Sequence, residues 1–178
     1  MMGGKITLNL AISLDGYIAD ENGGYDWIGG HGDKSLDTPS QPDFGEFLSG
    51  VDVVVMGKRC YEQNFHSESG YADKIIYVAT HEKRADEGNI RFISDDVVGT
   101  IMKEKQAGKM IYLFGGGISI DPFIKADVID EYRIGMIPVI LGSGRPLFLC
   151  NNPTIPLHLD SFSISDGIVG INYTRKSK

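Results

Sequence analysis

Four short apolar runs constrain this chain more than any other feature: residues 51–56 (VDVVVM), 74–79 (KIIYVA), 90–93 (IRFI) and 110–114 (MIYLF). They are rich in branched side chains and lack the alternation of a strand with one wet face, so they read as strands covered on both sides. Such strands need helices on both faces. Between the last two runs, Val97, Val98, Ile101 and Met102 fall on one face of a helix expected over residues 95–106, with Ser94 as its N-cap. Shorter helices are expected at 43–48 and 118–125. Residues 5–12 (KITLNLAI), 130–139 and 157–173 alternate in period two, and the last stretch turns back on itself at Asp166-Gly167 as a hairpin. Together these elements predict an α/β fold in three layers, with a mostly parallel central sheet, helices on both faces and a C-terminal antiparallel hairpin at one edge. Residues 13–42 are polar, glycine-bearing and longer than an ordinary connection, as lids and binding loops are.

A chain of 178 residues without internal repeat or linker is expected to be one domain, 1–178. The formal charge of −7 argues against a sequence-independent nucleic-acid binder, which needs a basic surface to neutralise phosphates. No apolar run approaches the ~20 residues that cross a bilayer, and the N-terminus lacks a secretory pattern, so a cytoplasmic location with no membrane partner is expected. Cys60 and Cys150 form no CxxC pair and read as unreactive thiols in a reducing compartment. His31, His66, His81 and His158 lack metal-ligand spacing, so no metal is expected. Residues 174–178 look like a loose polar tail.

Three segments sit just beyond predicted strands, where open α/β sheets place ligands. Gly115-Gly116-Gly117-Ile118-Ser119 joins a strand to a helix whose N-terminus offers N–H groups and partial positive charge to a phosphate. It is not a GxGxxG fingerprint, and read alone it is equally a tight turn. Gly57-Lys58-Arg59-Cys60 places two cations after a buried strand, suiting an anion or opening a solvated basic helix. Thr80 ends a third strand, with Lys83 and Arg84 behind it, as a ribose-phosphate holder or as surface loop.

Taken in order and spacing, SLDGYIA (13–19), MGKRCYE (56–62), FGGGIS (114–119) and the IDEY…IPVILGSGRPLF stretch (129–148) resemble the dihydrofolate-reductase-like superfamily. The likeness is to stand-alone relatives of the reductase domain of the bifunctional riboflavin-biosynthesis deaminase/reductase, and it spans nearly the whole chain. With no deaminase half in it, the chain is not expected to be that entire enzyme. The resemblance implies NADPH as cofactor. It puts Ala11 and Ile18 beside the nicotinamide, with Asn22 on the loop that closes over it. Gly57, Lys58, Arg59 and Cys60 fall at phosphates, Thr80 at the 2′-phosphate, and residues Gly115, Gly116, Gly117, Ile118 and Ser119 along the pyrophosphate. It also implies a cis Gly115–Gly116 peptide. Two positions depart from the family pattern: Lys58 replaces an arginine, with Arg59 next to it, and Cys60 replaces a phosphate-binding threonine.

On the substrate side, the resemblance offers Asp43 and Glu46, on the helix before the MGK strand, as the catalytic carboxylate; either is otherwise a helix cap or dipole partner. Trp27 walls the substrate pocket or anchors its loop, and Asp15 contacts substrate or shapes the turn with Gly16. The activity implied is reduction of a small polar heterocycle, a pterin or ribitylated pyrimidine, by a homodimer. The rival class is a non-catalytic nucleotide-binding sensor that keeps the cofactor cleft, favoured by Cys60 and the lack of a clearly matched acid.

Overall fold

The apolar runs become the inner strands of one sheet. In the computed structural model, which describes residues 3–64 and 69–176, the strands in chain order are β1 (Lys5–Ser13), β2 (Tyr17–Ala19), β3 (Val53–Gly57), β4 (Ile75–Ala79), β5 (Ile90–Ile93), β6 (Met110–Gly115), β7 (Glu131–Ile137), β8 (Arg145–Pro146), β9 (Leu157–Ser165) and β10 (Ile168–Arg175). Eight of them pair in the order β5-β4-β3-β6-β1-β7-β10-β9. The first six of that order run parallel. β10 and β9 add an antiparallel edge, turning at Asp166 and Gly167, which take φ of 51° and 79° as a two-residue hairpin demands. β2 and β8 pair separately.

Both faces of the inner strands are covered, which is why residues 53–56 carry no polar side chain. Val53 and Val55 join Ile6, Leu8 and Leu113 against Ile101 of α3 (Val97–Gln106) and Phe123 of α4 (Gly117–Lys125). Val54 and Met56 face the other way, toward Phe47 and Leu48 of α1 (Phe44–Ser49) and Tyr61 of α2 (Lys58–Asn64). Each fully buried aliphatic side chain contributes about 1.5–3 kcal/mol. Among the described residues, no helix is long and apolar enough to cross a membrane.

The sequence reading needs three local corrections. α3 begins at Val97 and is capped by Asp96, whose carboxylate accepts the Gly99 N–H at 2.8 Å; the carboxylate displaces Ser94 because it lies three residues before a bare N–H. The polar stretch 13–42 contains β2. Thr174 and Arg175 belong to β10, which lies between β7 and β9, and Arg175 donates to the Asp127 carbonyl at 2.6 Å, so the polar residues here end a paired strand and are not a tail. Residues 177–178 and His66 lie outside the described residues.

Candidate functional site

β3 and β6 are neighbours, so their C-terminal ends bring Gly57 and the 115–117 glycines side by side. A Cβ built on Gly57 would land on the Ser119 hydroxyl, so the second turn rests directly on the backbone of the first. Gly116 takes φ +87° and opens α4 without any side-chain cap. Its carbonyl accepts the N–H groups of Ser119 (2.8 Å) and Ile120 (3.0 Å). The preceding N–H groups, of Gly117 and Ile118, are the ones a helix start leaves to a ligand, and they sit at its positive end. Ile118 is 77% exposed beside them. Gly117 is wedged against β8, since an added Cβ would collide with the Pro146 carbonyl oxygen. No cis peptide occurs among the described residues: Gly115–Gly116 is trans, and the turn is made by the positive φ of Gly116.

The basic segment lies one strand over. Gly57 pairs with Ala79, so Thr80 stands next to the start of α2. Lys58 Nζ lies 2.6 Å from a Glu82 carboxylate oxygen and 3.8 Å from Glu62. The hydrogen bond to Glu82 raises the Lys58 pKa, and the same bond lowers that of Glu82. Glu82 also donates its N–H to the Thr80 hydroxyl at 3.1 Å. Glu82 is therefore built into this site, and sequence reasoning passed over it; the acid inside THEKR was the available signal. Arg59 is exposed and makes no ion pair among the described residues, whereas Arg84 pairs with Glu87 at 3.1 Å. The Cys60 sulfur lies under the glycine turn, 3.8 Å from where a Gly115 Cβ would stand.

The far end of the cleft is framed by Ala11 on β1, Ile18 on β2 and the loop that follows. Ile18 packs onto the core. Asp20 closes that loop by accepting the N–H groups of Asn22 and Gly24, both at 2.8 Å, which leaves Asn22 exposed at its tip. Trp27 is half-buried and donates its indole N–H to the Gly24 carbonyl at 3.2 Å, which anchors the loop. Asp15 accepts from the Ser13 hydroxyl (2.6 Å) and from the backbone of Leu141 (3.1 Å) and Gly142 (2.8 Å). These bonds, that from Ser13 foremost, hold its carboxyl below the usual range. Both its oxygens are engaged in shaping the turn. Arg145 is a second residue the sequence reading left without a role. Its guanidinium covers Gly23, where an added Cβ would stand 2.6 Å from a terminal nitrogen, and it has no hydrogen-bond or ion-pair partner among the described residues. Only its place in GSGRPLF hinted at it.

Asp43 caps α1, accepting the Glu46 N–H at 2.9 Å, and both carboxylates are exposed. Only Gly50, Val51 and Asp52 separate α1 from β3, so the helix runs back against the strand with its first turn toward the strands' C-terminal ends. Phe44 and Phe47 set it on Tyr112, with ring centroids 6.1 and 5.1 Å apart. The structure thus joins Gly57, Lys58, Thr80 and the 115–119 turn into one cradle and puts Ala11, Ile18, Asn22 and Trp27 along its other end. Asp43 and Glu46 lie on α1 and make no hydrogen bond or ion pair to these residues among the described residues. No cluster of three or more metal-ligating side chains occurs among the described residues.

A sheet of this order, with glycine turns at its strand ends, is the dihydrofolate-reductase-like fold, and Enterococcus faecalis dihydrofolate reductase in complex with NADP(H) superposes with a TM-score of 0.61 at 15% identity, covering 99% of both chains. Within that fold the chain belongs to the RibD C-terminal domain family, which matches residues 4–169. Two uncharacterized Bacillus subtilis proteins are similar to it. YwjB is 36% identical over 81% of this chain and 82% of its own, and YyaP is 30% identical over 95% and 94%. A Shewanella sp. PV-4 protein provisionally assigned to riboflavin biosynthesis superposes with a TM-score of 0.77 at 26% identity, covering 97% of this chain and 99% of that one. The Thermotoga maritima diaminohydroxyphosphoribosylaminopyrimidine deaminase/5-amino-6-(5-phosphoribosylamino)uracil reductase superposes with a TM-score of 0.71 at 17% identity; 98% of this chain covers 57% of it.

Proposed function

We propose that this protein is a cytoplasmic, single-domain NADPH-dependent reductase acting on a small polar heterocycle of the pterin or ribitylated-pyrimidine kind. One observation carries the reading: the uncapped start of α4, on Gly116 at φ +87°, lies against the Gly57 turn, so two backbones approach a ligand where side chains are excluded. Family membership supports the same chemistry.

In this reading Gly115, Gly116, Gly117, Ile118 and Ser119 bind the pyrophosphate through backbone N–H groups and the Ser119 hydroxyl. Gly57, Arg59, Cys60 and Thr80 line the adenosine-phosphate end, where Lys58 must leave Glu82 to reach a 2′-phosphate. Ala11 and Ile18 flank the nicotinamide, and Asn22 rides on the loop above it. NADPH, when bound, supplies the hydride. The chain's work is to hold donor and acceptor in line and keep water out, with Trp27 and Asp15 fixing the loops that do so. A proton reaches the substrate from Asp43, Glu46 or water. The edge strand β9 exposes Leu159 and Phe162, and the occupant we propose for it is a second copy of the chain.

A second reading has one observation in its favour: Asp43 is occupied as a helix cap and Glu46 is exposed, which suits a nucleotide-binding sensor without chemistry. NADPH oxidation measured against a panel of pterins and pyrimidines separates the two. Turnover with any of them supports the reductase; tight NADPH binding with no turnover supports the sensor; no NADPH binding overturns both.

A further inference from the structure

The sheet face that α1 touches changes character beyond β6. On β3 and β6 it is apolar; on β1, β7, β10 and β9 the residues paired in register are Asn9, Arg133, Asn172 and Ser161. Arg133 identifies this as the α1 face, since its guanidinium lies 4.9 Å from the centre of the Phe47 ring. Asn172 donates to the Ser161 hydroxyl at 2.9 Å. The half-buried amide of Asn9 has no hydrogen-bond partner among the described residues. Arg133 donates through Nε to Glu131 at 3.0 Å, and its two terminal nitrogens have no partner among the described residues. Its side chain is 34% exposed, stacked on one face and open at the edge.

Charge points the same way. Glu131, 8% exposed, is bracketed by Lys5 at 2.7 Å and Arg133 at 3.0 Å. Burial pushes its carboxyl up, but the hydrogen bonds and charges of Lys5 and Arg133 prevail and hold it below its ordinary value. Lys5 also attracts the Asp160 carboxylate, so two cations are matched by two carboxylates here, and the donors left over are the terminal nitrogens of Arg133. The open edge of a guanidinium in such a place suits a carboxylate better than a neutral group.

Two residues farther along each strand, the same face carries Ala11, Gly135 and Gly170 in register. A Cβ on Gly135 would meet nothing closer than 3.8 Å, whereas one on Gly170 would stand 2.6 Å from the Ser163 hydroxyl, so a shallow floor runs from Ala11 over Gly135 and ends at Ser163. With about 3.3 Å per residue along a strand and about 4.8 Å between strands, the Cα atoms of Ala11 and Arg133 stand roughly 8 Å apart. A planar ring lying on that floor therefore brings a substituent on its edge within reach of a side chain as long as that of Arg133.

We propose that Arg133, assisted by Asn9, is the specificity-determining residue of this cleft and holds a carboxylate borne directly on the ring of a planar heterocyclic substrate. The inference rests on the reductase reading only for which end of the ring faces Ala11. Its test is a binding measurement made with and without NADPH. The probes are orotate against uracil, pterin-6-carboxylate against pterin, and uridine 5′-monophosphate as the case of an anion on a sugar arm. The expected result is at least tenfold tighter binding of a carboxylated ring than of its neutral parent. Arg133→Met should erase that advantage, and Arg133→Lys should keep part of it. Asn9→Asp, an isosteric change that puts a negative charge beside Arg133, should weaken the carboxylated probe and spare the neutral one, which keeps the proposal testable should Arg133→Met fail to fold. NADPH affinity should be the same in every folded variant. Equal binding of carboxylated and neutral rings, an advantage that survives Arg133→Met, or an Arg133-dependent preference for the nucleotide over orotate would each overturn the proposal. Failure of the wild type to bind NADPH would instead strike the reductase reading, because the ring-carboxylate preference is read without cofactor as well.

Discussion

Three adjacent glycines in one turn should respond to alanine in three different ways. At Gly115 the new methyl meets only the Cys60 sulfur, at 3.8 Å, and φ is not positive. Gly115→Ala should therefore leave stability within about 0.5 kcal/mol of wild type. At Gly116 there is room, but φ is +87°, and holding an L-residue there costs about 1–2 kcal/mol. At Gly117 the backbone is helical, and alanine would gain up to about 1 kcal/mol of helix propensity. Against that stands overlap with the Pro146 carbonyl, a backbone atom that no rotamer change can move aside. Overpacking of this kind costs about 1–3 kcal/mol, and we place Gly117→Ala at the upper end because β8 must shift as a whole. For a chain of this length each kcal/mol lowers Tm by about 2–4 °C, so the ranking is readable in thermal melts with urea titrations alongside. NADPH affinity measured on the same proteins separates packing from ligand contact. Gly115→Ala should weaken NADPH while staying folded, if the pyrophosphate lies on this turn. A neutral Gly117→Ala, or a Gly115→Ala as damaging as the other two, would refute the reasoning.

Calorimetric titration should show NADPH binding more tightly than NADH, with the difference shrinking as salt rises. Glu82→Gln releases Lys58 and should raise NADPH affinity a few-fold while leaving NADH unchanged; no change would remove Lys58 from the 2′-phosphate. Asp43→Asn and Glu46→Gln should slow turnover and spare NADPH affinity if either group delivers the proton, and wild-type rates in both across the pH range would assign it to water. Asp43→Ala, unlike Asp43→Asn, should also lose about 1 kcal/mol of stability with its helix cap. Because the Glu131 carboxyl is held below its ordinary value of 4.5, its stabilising effect is full above that pH and is lost as the pH falls through the depressed folded value. Glu131→Gln should accordingly flatten the acid limb of the stability profile, and an unchanged limb would show that Lys5 and Arg133 do not act through it.

The sheet was legible because its inner strands are buried on both faces: VDVVVM and MIYLF cannot satisfy any one-sided environment. The hairpin at Asp166-Gly167 was legible from local turn chemistry. The Asp96 cap was missed because two aspartates follow Ser94, and which one sits three residues before a bare N–H depends on where the helix starts, which propensity blurs. In the cleft, glycines announced close approach, yet their partners were invisible. Gly57 is answered by Ser119 and Gly117 by Pro146, contacts across the fold that no local pattern encodes. Glu82 and Arg133 were hidden for a related reason. A charge in sequence has no sign of its neighbours until strands bring Lys58 to the one and Phe47 to the other.

β8 is only Arg145 and Pro146, but it touches both ends of the cleft. Pro146 is seated on Gly117 at the start of α4, Arg145 covers Gly23 in the Asp20-closed loop, and the N–H of Leu147 holds the Gly16 carbonyl at 3.0 Å. It is a crossbar between the loop at one end and the turn at the other. A crossbar transmits displacement: for the loop to swing outward, either Arg145 must let go of Gly23 or the start of α4 must tilt with it. Order at the two ends is therefore shared, and fixing the glycine turn in place restrains a loop whose tip, at Asn22, lies at the opposite end of the same cleft.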